Sequence, residues 1–414
     1  MSVGHDDAFA ILFAAHHPAI DLLGISTVHG NSSVEHTTVN AGSILTAIGK
    51  PNVPVYVGAA DGLVRPAVHA PAIHGESGLD GTALLPPPAM PAIRDVPAID
   101  AMADALLATA PRTSWLVATG TLTNIAALFI KYPQLEQHIK GLSIMGGAVG
   151  GGFTNAPLGH VGNEERYGNW TPYAVCDPEA AHEIFTRPTL SRKTTLISLD
   201  LTHLVLATPQ VQQLLLHGPH TNNAATSLPN DSTSNDAKSI VPSSRLRTLL
   251  VELLTFFATT YATIFGITAG PPLHDPLAVA AILDGLPGLE MPFYDFRPDD
   301  HTADTSSASS ASASASAGAG AGAPGDDDLS PRAARRVAKA ARERFAVTVV
   351  TEGTHEQALR GETQTGRTIV RLLPEGDEGV RIPRGLDVQR FWRVLEDCLR
   401  RADEENARLG TSFA

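Results

Sequence analysis

Apolar and polar positions alternate along this chain in two rhythms. Short β-branched or apolar runs at Leu22 to Val28, Val55 to Val57, Trp115 to Thr119, Leu142 to Met145, Thr194 to Leu199 and Phe345 to Val350 predict strands. Longer stretches with apolar residues every three to four positions predict helices over Asp7 to His17, Thr37 to Ile48, Ile99 to Ala108, Thr123 to Lys131, Pro178 to Phe185, Pro209 to Leu216, Leu246 to Phe265, Pro276 to Leu283 and Val388 to Arg401. Strand and helix in alternation are the mark of βαβ units and a parallel sheet, with the strands at 194 and 345 extending that sheet. Two segments break the pattern: 217–244 is rich in Asn, Ser, Thr and Pro, and 299–330 holds Ser-Ala and Gly-Ala runs. Neither carries enough apolar surface to offset chain entropy, so both are expected to be disordered insertions in a single domain spanning 1–414.

Composition narrows the function classes. A formal charge of −13 disfavours nucleic acid as the main partner, since such binders are usually basic. The basic run from Arg332 to Arg344 reads as a solvated helix face. No apolar run approaches the roughly 18 residues of a membrane span. Two cysteines, Cys176 and Cys398, cannot build a disulfide framework or a four-cysteine zinc module, and acids at Asp6 and Asp7 stand where a secretory signal would carry Lys or Arg. A cytoplasmic, reducing location is expected. Phosphate-binding, zinc-protease and serine-hydrolase motifs are missing; the Gly320, Gly322, Gly325 spacing lies in the Ala-Gly tract with no strand ahead of it.

The polar residues that remain gather where predicted strands end. Gly4-His5-Asp6-Asp7 opens a helix, where the positive end of the helix dipole helps two adjacent carboxylates stay ionised, as a hard cation requires. A plain cap with a first-turn acid would look the same. His29-Gly30-Asn31 follows a strand and offers an amide that can both donate to and accept from vicinal hydroxyls, or forms an ordinary turn. His74-Gly75-Glu76-Ser77-Gly78 is a polar loop. Thr119-Gly120-Thr121-Leu122-Thr123-Asn124 joins a strand to a helix, where a carbonyl could face a metal or a side chain could simply cap; Met145-Gly146-Gly147 follows another strand. In Pro271-Pro272-Leu273-His274-Asp275-Pro276, Asp275 and Pro276 form a cap and first-residue pair, as do Asp177 and Pro178, and His274 adds a possible acid beside the carboxylate. Ligands of open α/β sheets bind at the carboxyl ends of the strands, so these motifs are expected to converge.

In their order these motifs resemble the inosine-uridine preferring nucleoside hydrolases, over nearly the whole chain apart from the two insertions. The resemblance implies a Rossmann-like, mostly parallel sheet flanked by helices, and calcium-assisted hydrolysis of the N-glycosidic bond of purine or pyrimidine ribonucleosides. By matching motifs, Asp7 and Asp275 would hold Ca2+ through carboxylates and Thr123 through its carbonyl. Asp6 and Asn31 would hold the ribose hydroxyls, with His74 and Asp275 also at the substrate; His274 would protonate the leaving base, and Asp6 is the further catalytic candidate. The expected partners are a ribonucleoside and further copies of the chain in a dimer or tetramer, with neither nucleic acid nor membrane.

Two departures from the family pattern carry expectations of their own. Relatives open with a strand and Asp-x-Asp-Pro-Gly-x-Asp-Asp, whereas this chain starts inside that motif at Gly4, so the first strand and an aspartate serving as ligand and base are expected to be missing. An Ala-Glu-Phe-Asn segment is also not found between Thr171 and Asp177; Asn155, Asn163 and Asn169 are the nearby amides. The alternative function is therefore an impaired family member acting as a nucleoside or ribose binder or scaffold.

Overall fold

The computed structural model describes residues 1–158, 176–219, 244–286, 291–296 and 343–413. Both expected insertions fall almost wholly outside these residues, as do Asn163, Asn169 and most of the basic run before Arg344.

Among the described residues the helices are α1 (His5–His16), α2 (Val34–Ala47), α3 (Ala98–Leu107), α4 (Thr123–Lys131), α5 (Pro178–Phe185), α6 (Leu199–Thr202), α7 (Pro209–His217), α8 (Arg245–Phe265), α9 (Asp275–Ala280) and α10 (Val388–Leu409), with further short turns of helix between them. The strands are β1 (Ile25–Ser26), β2 (Val55–Tyr56), β3 (Trp115–Ala118), β4 (Gly141–Met145), β5 (Thr194–Ile197), β6 (Phe293–Tyr294), β7 (Phe345–Val349), β8 (Thr368–Leu372) and β9 (Gly385–Leu386). β1 pairs with β2, and β4 pairs with β3 on one side and β5 on the other, all in parallel, which is the architecture the alternating pattern predicts.

One strand departs from expectation. β7 does not extend the parallel sheet but forms an antiparallel pair with β8, and it reaches β5 only through single bridges at Val380 and Arg381. β-branched composition makes a strand but does not choose its partner. β1 is also far shorter than the run at Leu22 to Val28.

α1 is buried on all sides and packs against α2, α8, α9 and α10. An all-round apolar helix belongs at the centre of a layer rather than at its surface. Phe13 is fully buried and its ring lies 6.4 Å from that of Phe391 on α10. Phe13→Ala is expected to lower stability by about 3 to 5 kcal/mol, read as a shift of the urea midpoint at unchanged slope.

α8 meets the length and composition of a membrane-crossing helix, which the sequence reading did not anticipate. Its face at Leu246, Leu249, Leu250, Leu253 and Leu254 is buried in the main core, Phe257 is buried in a smaller cluster with Tyr261 and Phe265, and Arg247 on the same helix is ion-paired to α10, so its role here is that of a core helix. Cys176 and Cys398 are both free and buried, with their thiols pushed up to about 12 by burial.

Candidate active site

Three carboxylates meet at the helix starts. Asp6 and Asp7 on the first turn of α1 and Asp275 at the start of α9 offer oxygens that all lie within 4.8 Å of one another, and all three residues are buried. Local sequence explains each placement. Asp7 turns back to accept the Gly4 amide at 2.9 Å, capping α1, and Pro276 supplies the first-turn geometry of α9. The Asp275 amide in turn donates to Asp6 at 3.3 Å, tying the two helix starts together.

The electrostatics of this cluster are those of a cation site. Burial raises the Asp6 carboxyl to about 7, helped by the Asp7 charge; burial likewise raises Asp7, against hydrogen bonds from Thr119 and Gly4. Asp275 is held well above the carboxylate range by burial and by the charges of Asp6 and Asp7. Neither oxygen of Asp275 has a hydrogen-bond partner. Buried, unpartnered anionic oxygens are costly, and a divalent cation is the group that answers them. Three hard oxygen donors fit such an ion, and both cysteines lie in other places.

Asn31 sits at the edge of the cluster. Its amide nitrogen donates to the Ser2 carbonyl at 2.7 Å and approaches Asp7 at 3.5 Å. His74 is buried beside it and pairs with His5, Nδ1 to Nδ1, at 3.3 Å, while His5 Nε2 lies 2.7 Å from the Asp80 carbonyl. Taking His5 as the donor to Asp80 leaves its Nδ1 as an acceptor, so His74 must be the donor between the rings. Gly75, at φ 76°, makes this possible, since a side chain there would collide with Asp80.

His274 stands next to Asp275, with both ring nitrogens in contact with protein hydroxyls. Thr202 Oγ lies 2.7 Å from Nδ1 and the Tyr261 hydroxyl 2.6 Å from Nε2. Burial holds the imidazole well below its ordinary value, and the neighbouring His203 and His74 push it further down. His274 is thus held between the Thr202 and Tyr261 hydroxyls beside the acidic cluster.

The Thr123 side chain faces another carboxylate: its hydroxyl donates to Asp177 at 2.6 Å and meets His29 Nε2 at 3.2 Å. The residue of that motif which touches the acidic cluster is Thr119, whose hydroxyl donates to Asp7 at 2.7 Å. Asp177 caps α5 through the Ala180 amide, as its Pro178 neighbour suggests. Thr119, Thr202 and Tyr261 escape sequence reasoning because a hydroxyl contributes only through its partner; the one available signal for Tyr261 is its place on the buried face of α8.

Comparison with known proteins follows the same lines. The family model described as "Inosine-uridine preferring nucleoside hydrolase" matches residues 2–393. The uridine nucleosidase of Saccharomyces cerevisiae is 41% identical over 283 residues, covering 68% of this chain and 74% of that protein. The inosine-uridine preferring nucleoside hydrolase of Leishmania major is 34% identical over 281 residues, 68% of this chain and 76% of its own length. The fold is shared with the purine-preferring ribonucleoside hydrolase from Gardnerella vaginalis, at a TM-score of 0.65 and 22% identity with 97% of each chain covered. A plant nucleoside hydrolase superposes with a TM-score of 0.62 at 22% identity, over 96% of each chain. Carboxylates converging at the helix starts, a parallel sheet behind them and a family match across nearly the whole length lead to one conclusion: the chain belongs to the inosine-uridine preferring nucleoside hydrolase family.

Proposed function

We propose that this protein is a nucleoside N-ribohydrolase that splits the bond between base and ribose, with uridine as the first substrate to try. The observation that carries this reading is the buried cluster of Asp6, Asp7 and Asp275, with both Asp275 oxygens unpartnered beside His274. The name of the yeast relative supports uridine; that of the Leishmania relative widens the choice to inosine.

Asp6, Asp7 and Asp275 would hold the cation, and all-oxygen ligation favours calcium over zinc. When bound, such an ion offers positions for two sugar hydroxyls and makes a neighbouring water more acidic. Asp6 and Asn31 then orient the ribose, and Asp6 accepts a proton from the attacking water. Carboxylates around a sugar that develops positive charge stabilise it electrostatically. At the other side, the departing base would take a proton that enters from solvent and reaches it over the Tyr261 hydroxyl and His274, the pair being left in its starting protonation state, and Thr202 holds the His274 ring in place.

Ribose release from a panel of nucleosides, before and after chelation and with calcium or zinc restored, tests the proposal. Hydrolysis that calcium restores and zinc does not is the expected result. Binding of uridine without any ribose release would establish the binder instead.

The proton route makes a separate prediction. His274→Ala is expected to lower turnover by about 10²- to 10⁴-fold on nucleosides with poor leaving bases, and far less on an activated aryl riboside that needs no proton. Equal losses on the two substrates in steady-state assays would assign His274 to positioning alone.

A further inference from the structure

His5 touches two groups at once, and together they fix where its proton lies. Nε2 stands 2.7 Å from the Asp80 carbonyl oxygen, and Nδ1 stands 3.3 Å from Nδ1 of His74. A carbonyl can only accept, so Nε2 carries the His5 proton and Nδ1 is a bare lone pair. Turning the ring over would set carbon atoms against both partners, and its plane is held parallel to Phe256 and Phe257, with centroids 5.0 Å and 5.4 Å away. Both rings are buried, and a dry surrounding disfavours the doubly protonated form of either. The proton between the rings therefore belongs to His74 Nδ1, and His74 Nε2 can only accept.

The neighbours of His74 show which part of a substrate such an acceptor serves. Its Nδ1 and Cε1 lie 2.7 Å and 2.9 Å from where a Cβ on Gly4 would stand, and the Asn31 amide nitrogen lies 2.6 Å from the same point. Phe257 stacks on the His74 ring at 5.6 Å and meets Tyr261 at 4.8 Å and His274 at 6.3 Å, edge to face. His74 thus joins the amide assigned to the ribose with the rings assigned to the departing base. A sugar hydroxyl both donates and accepts, so a locked ring gains nothing against it. A base edge is different. Uracil carries a ring N–H between its two carbonyls, whereas cytosine has a bare nitrogen at the same position. Facing His74 Nε2, the first makes a hydrogen bond and the second leaves two lone pairs opposed in a dry site.

We propose that His5 is a positioning residue which locks His74 as a hydrogen-bond acceptor toward the base, so that the site selects pyrimidine nucleosides with a ring N–H, uridine over cytidine; this rests on the hydrolase function proposed above. His5 touches no substrate in this scheme. It acts through the proton it leaves on His74.

Two measurements on the full chain test the proposal. Nitrogen-15 NMR of histidine-labelled protein, with His74→Gln identifying the signals, is expected to show His74 protonated at Nδ1; protonation at Nε2 would overturn the proposal without any appeal to activity. In steady-state assays His5→Leu is expected to narrow the uridine-to-cytidine ratio of kcat/KM by about 10-fold or more, because the freed His74 ring can then present Nε2–H to cytosine. His5→Gln, whose amide can donate to Asp80 and accept from His74, is expected to keep the wild-type ratio. Taking the ratio cancels the unequal leaving abilities of the two bases and any general loss of activity in a variant. A ratio that His5→Leu leaves unchanged, or that His5→Gln narrows equally, would overturn the proposal. If the wild-type chain releases ribose from neither nucleoside, the hydrolase reading falls first and this proposal with it.

Discussion

Asp275→Asn is expected to abolish measurable ribose release while raising the melting temperature of the metal-free protein. The two effects have one cause. Asp275 is buried with neither oxygen partnered, within 4.8 Å of the oxygens of Asp6 and Asp7, and burial and those two charges hold its carboxyl well above the usual range. A carboxyl raised in the folded state binds its proton more tightly there than in the unfolded chain, so its ionised form opposes folding at neutral pH and ceases to do so as pH falls. The neutral amide removes that opposition. It also removes an anionic ligand, and with it the attraction that places cation and sugar, so a loss of about 10³-fold or more in kcat/KM is expected. Calorimetry of wild type and variant, with and without calcium, checks the argument. Wild type should gain stability from calcium and the variant should not; a variant that melts lower than wild type without metal would show that the carboxylates support the fold.

Arg247→Met is expected to produce a large loss of stability while leaving the active-site groups untouched. Its guanidinium donates to Glu396 at 3.0 Å, to Asp403 at 2.6 Å and to the Leu215 carbonyl at 2.7 Å, so one side chain joins α7, α8 and α10. Arg247 and Glu396 are 9% and 7% exposed at their side chains, whereas Asp403 at 23% keeps contact with water. Removing the cation strands Glu396 in a dry interior, and breaking a buried pair in this way costs about 3 to 5 kcal/mol. Urea titration should show a lower midpoint with an unchanged slope. Adding Glu396→Met to the variant should recover much of the loss, because it is the orphaned charge rather than the missing bond that is costly; no recovery would place the effect in the contact to Leu215.

Much of the fold was legible from periodicity. α5 begins and ends where the Asp177-Pro178 cap and the apolar spacing place it, and the motifs at Gly4, His29, Thr119 and His274 do fall where strands end or helices begin. Legibility failed where a partner decides the outcome. The run at Phe345 to Val350 is a strand by composition, yet its antiparallel pairing to β8 depends on a segment some twenty residues later, which no local pattern announces. For Thr123, nothing local announces that its hydroxyl meets Asp177 at 2.6 Å, a residue more than fifty positions on.

By itself the sequence determined the alternation of strand and helix, the Asp177 cap that starts α5, and the acids at positions 6, 7 and 275, since each is local to a few positions; the cap expected of Asp275 is not made, because His274 precedes α9 and the Asp275 oxygens accept nothing. Only the tertiary structure decided that Asp6 and Asp7 meet Asp275 and that Thr202 and Tyr261 hold His274. The physical reason is one of range. Dihedral preference and amphipathic spacing act within a few residues, whereas the desolvation that raises Asp275 and the hydroxyls that hold the His274 ring exist only once distant segments have excluded water together.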